Sequence, residues 1–186
     1  MKNLKVKRVV FLDRDGTINE DIGDLFNVEK LKFIPGALDA LKLLQERFLL
    51  FIITNQAGIG KGNFTESDFF KFNKEYLNIL NKDGIRIEEL YYCPHTEEDD
   101  CICRKPKTHF VDIARGKYNL DLKESFVVGD HPFDIELGNS TQMKSIFLLT
   151  GHGSKHMNEI QKKSNIIISE NIYNAAFLIF KLAEKL

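Results

Sequence analysis

The sequence predicts a three-layer, doubly wound α/β fold, with helices on both faces of a mostly parallel sheet. Three observations carry that expectation. Short, continuously apolar runs alternate with longer segments of helical period, as in a sheet whose strands are buried on both sides. At 186 residues the chain has the size of one domain and is long enough for a three-layer core. Polar residues stand directly after several apolar runs, where a parallel sheet places its ligand site.

The elements follow in order. Residues 8–13 read as a first buried strand. Residues 35–48 have helical spacing, with Leu38, Leu41 and Leu44 on one face. LLFIITN, residues 49–55, is a second buried strand. Residues 65–84 open on Thr65, a good cap, and close on Gly84, which marks a helix. Residues 87–93 form a third strand and residues 109–120 a helix. SFVVGD, residues 125–130, is a strand ending in an acid, and a short helix follows at 132–140. Residues 145–150 and 165–169 are two more strands, and residues 172–186 close the chain as an amphipathic helix. No repeat, linker or low-complexity stretch interrupts this succession, so residues 1–186 are expected to form one domain. The connection from Asp15 to the first helix is too short for a large cap domain.

Composition narrows the function. A net charge of −1 gives no basic field for nucleic acid or an anionic membrane. No apolar run approaches the ~20 residues of a membrane span. The N-terminal stretch is basic and then briefly apolar, without the cleavage site of a signal peptide. The expectation is a cytoplasmic monomer acting on a small metabolite. In a reducing compartment, Cys93, Cys101 and Cys103, so close together, suit a metal better than a disulfide.

The chemistry begins at Asp13 and Asp15. Residues two apart on an extended segment project to one side, so these carboxylates should crowd, and crowded carboxylates share a proton or bind a cation. The alternative is a solvated Asp-Gly turn, against which Asp13 directly follows an apolar run. Asp130 repeats the design on another strand, and three converging carboxylates suit Mg²⁺. Asp134 could be a further ligand, a partner standing behind the ligands or a plain helix residue, and the second reading is favoured. In RKPK, stiffened by Pro106, a lysine would neutralise phosphate oxygens, while Thr54 and Asn55 donate hydrogen bonds to the same group. A metal, a cation, neutral donors and a carboxylate nucleophile together describe phosphoryl transfer.

Cys93, His95, Cys101 and Cys103 form two close pairs that suit a closed, structural tetrahedral zinc. Such a zinc would fold a loop with few apolar residues and hold Arg104 and Lys105 in place. Residues 97–100, EEDD, read as a solvated tip. GIGKG lacks the order of a phosphate-binding P-loop, so its glycines are expected to shape a turn, with Asn55 and Gln56 lining the pocket. His109, His152 and His156 read as surface or loop residues.

DRDGT, TN, RKPK and GDHPFD occur in the order and spacing of the haloacid dehalogenase-like phosphatases, which the chain resembles over nearly its whole length. DRDGTIN, TNQAGIGKG, YYCPH and CRKPK look like the branch that holds the heptose-1,7-bisphosphate 7-phosphatases and the histidinol-phosphate phosphatases. The resemblance implies Asp13 as nucleophile and Asp15 as general acid and base. It implies Mg²⁺ on Asp13, Asp130 and the backbone carbonyl of Asp15. It gives Thr54 and Lys105 to the phosphoryl group, and Asn55 and Arg104 to substrate. It also implies the zinc loop. Asp21, Asp24, Gln56 and His131 are further substrate-contact candidates, with residues 21–24 as a wall of the site. A heptose bisphosphate is the favoured substrate and histidinol phosphate the alternative, which the short His95–Cys101 gap and His131 keep open. A phospho-receiver module is a third reading. It needs adjacent acids after the first strand and a phosphorylatable Asp on a middle strand, and this chain has Asp-x-Asp and no acid after LLFIITN.

Overall fold

The computed structural model describes residues 6–162 and 166–184. Expectations for residues 1–5, 165 and 185–186 lie outside the described residues. Six strands form one sheet: β1 (Val9–Leu12), β2 (Leu49–Asn55), β3 (Glu89–Cys93), β4 (Phe126–Gly129), β5 (Lys144–Leu148) and β6 (Ile167–Ser169). Their order is β3-β2-β1-β4-β5-β6, and every neighbouring pair is parallel. The chain winds outwards from β1 in one direction and then returns to β4, so the topological switch point lies between β1 and β4. In register, Leu12 stands beside Ile52 on one side and Val128 on the other. The residues just beyond these positions therefore meet at one end of the sheet.

Alternation along the strands builds two cores. Val10, Leu12, Leu50, Ile52, Phe126 and Val128 face α1 (Ala37–Leu44), α3 (Glu66–Lys82) and α7 (Ile172–Ala183). Val9, Phe11, Phe51, Ile53 and Val127 face α4 (His109–Tyr118) and α5 (Pro132–Thr141). Because both faces are covered, these strands are continuously apolar rather than alternating.

Local chemistry sets the helix ends. The Thr65 hydroxyl accepts from the Asp68 backbone N–H while the Asp68 carboxylate accepts from that of Thr65, a reciprocal cap that starts α3. Asn171 starts α7 with a single cap, its side-chain oxygen accepting from the Asn174 N–H. Pro132 opens α5, where its missing N–H is harmless. Each expected strand and helix is present, with ends shifted by a few residues. For example, the helix expected at 35–48 turns out of the helix at Gln45. Two α-helices, and a 3₁₀ turn at Val28–Lys30, were not expected. Residues 57–60 form α2 (Ala57–Gly60) rather than a plain turn, and α6 (Gly153–Ile160) precedes β6. Among the described residues no helix is long and apolar enough to cross a membrane.

Candidate active site

At the carboxyl end of the sheet, over the switch point, lies a cavity of about 410 Å³. It is lined by Asp13, Asp15, Asp21, Asp24, Thr54, Asn55, Gln56, Arg104, Lys105, Asp130 and His131, so every site candidate outside the cysteine cluster faces it. Four strand ends supply these groups. Asp13 follows β1, and its N–H donates to the Val128 carbonyl of β4 at 2.9 Å. Thr54 and Asn55 end β2, Arg104 and Lys105 lie beyond β3, and Asp130 follows β4.

Carboxyl oxygens of Asp13, Asp130 and Asp134 lie within 4.8 Å of one another. The ammonium of Lys105 sits 2.8 Å from Asp13 and 2.7 Å from Asp134. Burial pushes the Asp13 carboxyl up to about 7, with Lys105 opposing the rise and Asp134 adding to it. Burial likewise lifts Asp130 to about 8, with Asp13 and Asp134 contributing. Burial works against the charge on Lys105, but Asp13 and Asp134 outweigh it and hold that ammonium protonated. Three carboxyl groups, two of them buried and Asp13 partly so, face one ammonium, a set of hard oxygen donors that fits a divalent cation such as Mg²⁺.

The carboxylates also have partners that the sequence did not show. Lys105 pairs with Asp13, and Arg14 pairs with Asp15, each at 2.8 Å. The carboxylate grouped with Asp13 and Asp130 is that of Asp134, and the Asp15 side chain stands outside the group. Asp134 is itself engaged, accepting from Lys105 Nζ and from the His131 backbone N–H. Arg14 was missed because a charged residue at a strand end reads as exposed; here it is fully buried.

Asp130 is clamped by backbone. Its Oδ2 accepts from the His152 N–H at 2.7 Å, and Gly16 and Gly151 press against its carboxyl group so closely that a Cβ at either position would collide with it. Asn55 holds Lys105 in place: its Oδ1 accepts from the Lys105 N–H at 3.0 Å, and its amide donates to the Lys105 carbonyl at 3.3 Å. Gln56 Nε2 donates to both Asp15 and Thr54. Both amides therefore spend these bonds on the protein's own groups. Asp24 accepts from Asn63, and Asp21 from the Gly23 N–H.

Lys61, Phe133 and His152 line the cavity too and are not among the sequence candidates. Lys61 lies in the glycine-rich stretch, and Phe133 follows the cap of α5. His152 is exposed, as expected of a surface or loop residue, and its surface is the rim of the cavity, with Nε2 3.4 Å from Asp21. His156 packs its ring 4.6 Å from that of His131, whose imidazole burial holds below its usual range. His109 opens α4.

Beside the cavity, Cys93, His95, Cys101 and Cys103 gather their ligand atoms within 4.8 Å. Five of the separations are 3.6, 3.5, 3.2, 3.4 and 3.6 Å. Sulfurs about 2.3 Å from a tetrahedral ion would be about 3.8 Å apart, so the spacing fits zinc. It is too long for the ~2.05 Å of a disulfide. Burial pushes the Cys93 thiol up. It also opposes ionisation of Cys101, but hydrogen bonds from the backbone of Cys103 and Arg104 outweigh it and bring that thiol down to about 7. Arg104 ties the cluster to the cavity by donating to the His95 carbonyl at 3.3 Å. The expected solvated tip is partly structured: Asp99 accepts from Thr96, and Asp100 pairs with Lys107.

Known proteins resemble this chain in sequence and fold. A family model described as HAD-hydrolase-like matches residues 102–175. A D-glycero-alpha-D-manno-heptose-1,7-bisphosphate 7-phosphatase of Photorhabdus laumondii is 35% identical, over 96% of this chain and 100% of that protein. A D-glycero-beta-D-manno-heptose-1,7-bisphosphate 7-phosphatase of Pasteurella multocida is 36% identical, over 94% and 97%. The crystal structure of the D,D-heptose 1,7-bisphosphate phosphatase of B. bronchiseptica, complexed with magnesium and phosphate, superposes with a TM-score of 0.85 at 27% identity, over 95% of this chain and 99% of that one.

Proposed function

The chain belongs to the haloacid dehalogenase-like phosphatases, and from that premise we propose that it removes the 7-phosphate of D-glycero-D-manno-heptose 1,7-bisphosphate. The phosphoric monoester hydrolase activity is the family's; the substrate and the residue roles are our reading. One observation carries it: Asp13, Asp15, Thr54, Lys105 and Asp130 arrive from the ends of four strands on a single cavity. The relatives named for the heptose bisphosphate, alike over nearly the full chain, support the substrate.

Asp13 attacks phosphorus, forming an aspartyl-phosphate as the bond to the leaving oxygen breaks. Asp15 gives that oxygen a proton, then takes one from the water that hydrolyses the intermediate. Thr54 and Lys105 hold the phosphoryl oxygens, and Asp134 keeps Lys105 aimed at them. Asp13, Asp130 and the Asp15 carbonyl would hold Mg²⁺, which when bound neutralises charge on the phosphoryl group. Cys93, His95, Cys101 and Cys103 would hold a zinc that folds the loop carrying Arg104 and Lys105. Asp21, Asp24, Asn55, Gln56, Arg104 and His131 border the sugar and its second phosphate. We read residues 1–186 as one catalytic domain that works as a cytoplasmic monomer on a small metabolite, without nucleic acid or membrane.

The test is a side-by-side measurement of kcat/KM, with Mg²⁺, for both anomers of the heptose bisphosphate and for histidinol phosphate. The expected result is preference for a heptose bisphosphate with phosphate released from C7. A preference for histidinol phosphate would overturn the substrate. A single phosphorylation without turnover would overturn the enzyme reading in favour of a receiver.

A further inference from the structure

We propose that Arg14, braced by Asn73 on α3, is a positioning residue that fixes the carboxyl group of Asp15 for proton transfer to the leaving oxygen. This rests on Asp15 being the acid–base group.

The guanidinium is fully buried and spends its nitrogens on two partners. Nε lies 3.2 Å from Oδ1 and 3.1 Å from Oδ2 of Asp15, and Nη2 lies 2.8 Å from Oδ2. Nη1 donates to Asn73 Oδ1 at 3.1 Å. The rings of Phe72 and Phe69 cover the group, with centroids 5.0 and 5.7 Å from Cζ. A planar fork engaging both oxygens sets the plane of the carboxyl group, which a point charge could not do.

Stability alone does not account for this arrangement. Taking a guanidinium out of water is expensive, and an apolar side chain of similar volume often serves a core as well or better. The surroundings include Phe69, Phe72 and Tyr76, a setting for an aliphatic residue. Asn73 adds to the expense: it is buried on the core side of α3, and its Nδ2 has no hydrogen-bond partner among the described residues. Two polar side chains are thus drawn into an apolar layer, and their shared outcome is the orientation of Asp15. Asn19 and Gln56 donate to the same carboxylate at 2.8 and 2.9 Å, Gln56 from the cavity wall. Arg14 ties Asp15, through Asn73, to the helix layer behind it.

In the first step the bond from phosphorus to the leaving oxygen breaks while the Asp13–phosphorus bond forms, and the proton on Asp15 moves to that oxygen. A poor leaving group needs this proton more than a good one. The experiment therefore measures kcat/KM, with Mg²⁺, for aryl phosphates from p-nitrophenyl to phenyl phosphate, in the parent chain, Arg14→Met, Asn73→Leu and Asp15→Asn. Positioned general acids contribute about 10²–10⁴-fold. Arg14→Met is expected to lose about 100-fold on phenyl phosphate and much less on p-nitrophenyl phosphate, which steepens the dependence on leaving-group acidity. Asn73→Leu should steepen it less, and Asp15→Asn most. Equal losses across the series in a folded Arg14→Met would make the residue merely structural and overturn the proposal. If Arg14→Met does not fold, Asn73→Leu decides: an altered slope supports the proposal and an unaltered one overturns it. A flat response in Asp15→Asn would instead sink the acid role of Asp15, and this inference with it.

Discussion

Asp13 sits where an apolar strand ends, and that contrast made it legible from sequence alone. Its side chain is held by Lys105, and Lys105 is also held by Asp134. Asp13→Asn therefore leaves the ammonium paired. We expect the variant to keep its circular dichroism spectrum and melt within a few degrees of the parent, while turnover falls about 10⁴-fold or more. Substantial residual hydrolysis would remove Asp13 as nucleophile. Gly16 offers a second test. It has φ near +80°, and an added Cβ would lie 2.3 Å from Asp130 Oδ2. Gly16→Ala should destabilise by about 1–3 kcal/mol through backbone strain and raise the Mg²⁺ concentration for half-maximal activity. Unchanged metal dependence would mean that Asp130 is not a ligand. Neither this clamp nor the pairing of Arg14 with Asp15 could be read beforehand. Both depend on residues distant in sequence or on burial of a group that normally seeks water.

At the scale of elements, the strands were legible because both faces are buried, and α3 because its cap is written in Thr65 and Asp68. The missed helices had no such signature. Two of the four residues of α2 are glycine, and they are there because backbone must pass close to Asp24, Phe64 and Pro94. α6 buries only Gly153 and Ile160, too little apolar spacing to announce a helix. The cysteine loop is the reverse case, with an irregular backbone but a plain ligand pattern. It reaches the cavity through Arg104 and through the Asn55–Lys105 pairing. Elemental analysis should find about one zinc per chain. Cys101→Ser, or a strong chelator, should lower that content, lower Tm and reduce kcat, because Lys105 loses its support. A zinc-free preparation equally active and equally stable would reject a structural zinc.

At the scale of the molecule, the order of the strands was not legible, since it depends on which pairs meet across long connections. That order matters because it puts β1 at the centre. Val10 and Leu12 belong to one core and Val9 and Phe11 to the other, so neither layer can melt without exposing the strand that serves both. The tyrosines report on each side: Tyr76 lies in the first layer, and Tyr91 and Tyr118 pack against the second. With no tryptophan in the chain, the near-ultraviolet circular dichroism comes mainly from its five tyrosines, these three among them. Thermal unfolding should therefore give one transition, coincident with the far-ultraviolet signal. Phe11→Ala sharpens the test. Phe11 is buried against Phe51, with ring centroids 5.3 Å apart, and its truncation should cost about 3–5 kcal/mol. If β1 couples the layers, near- and far-ultraviolet signals in this variant shift down together. If the near-ultraviolet signal were lost in two steps, or apart from the far-ultraviolet one, the two halves would be independent, and the shared central strand would not be what holds the site together.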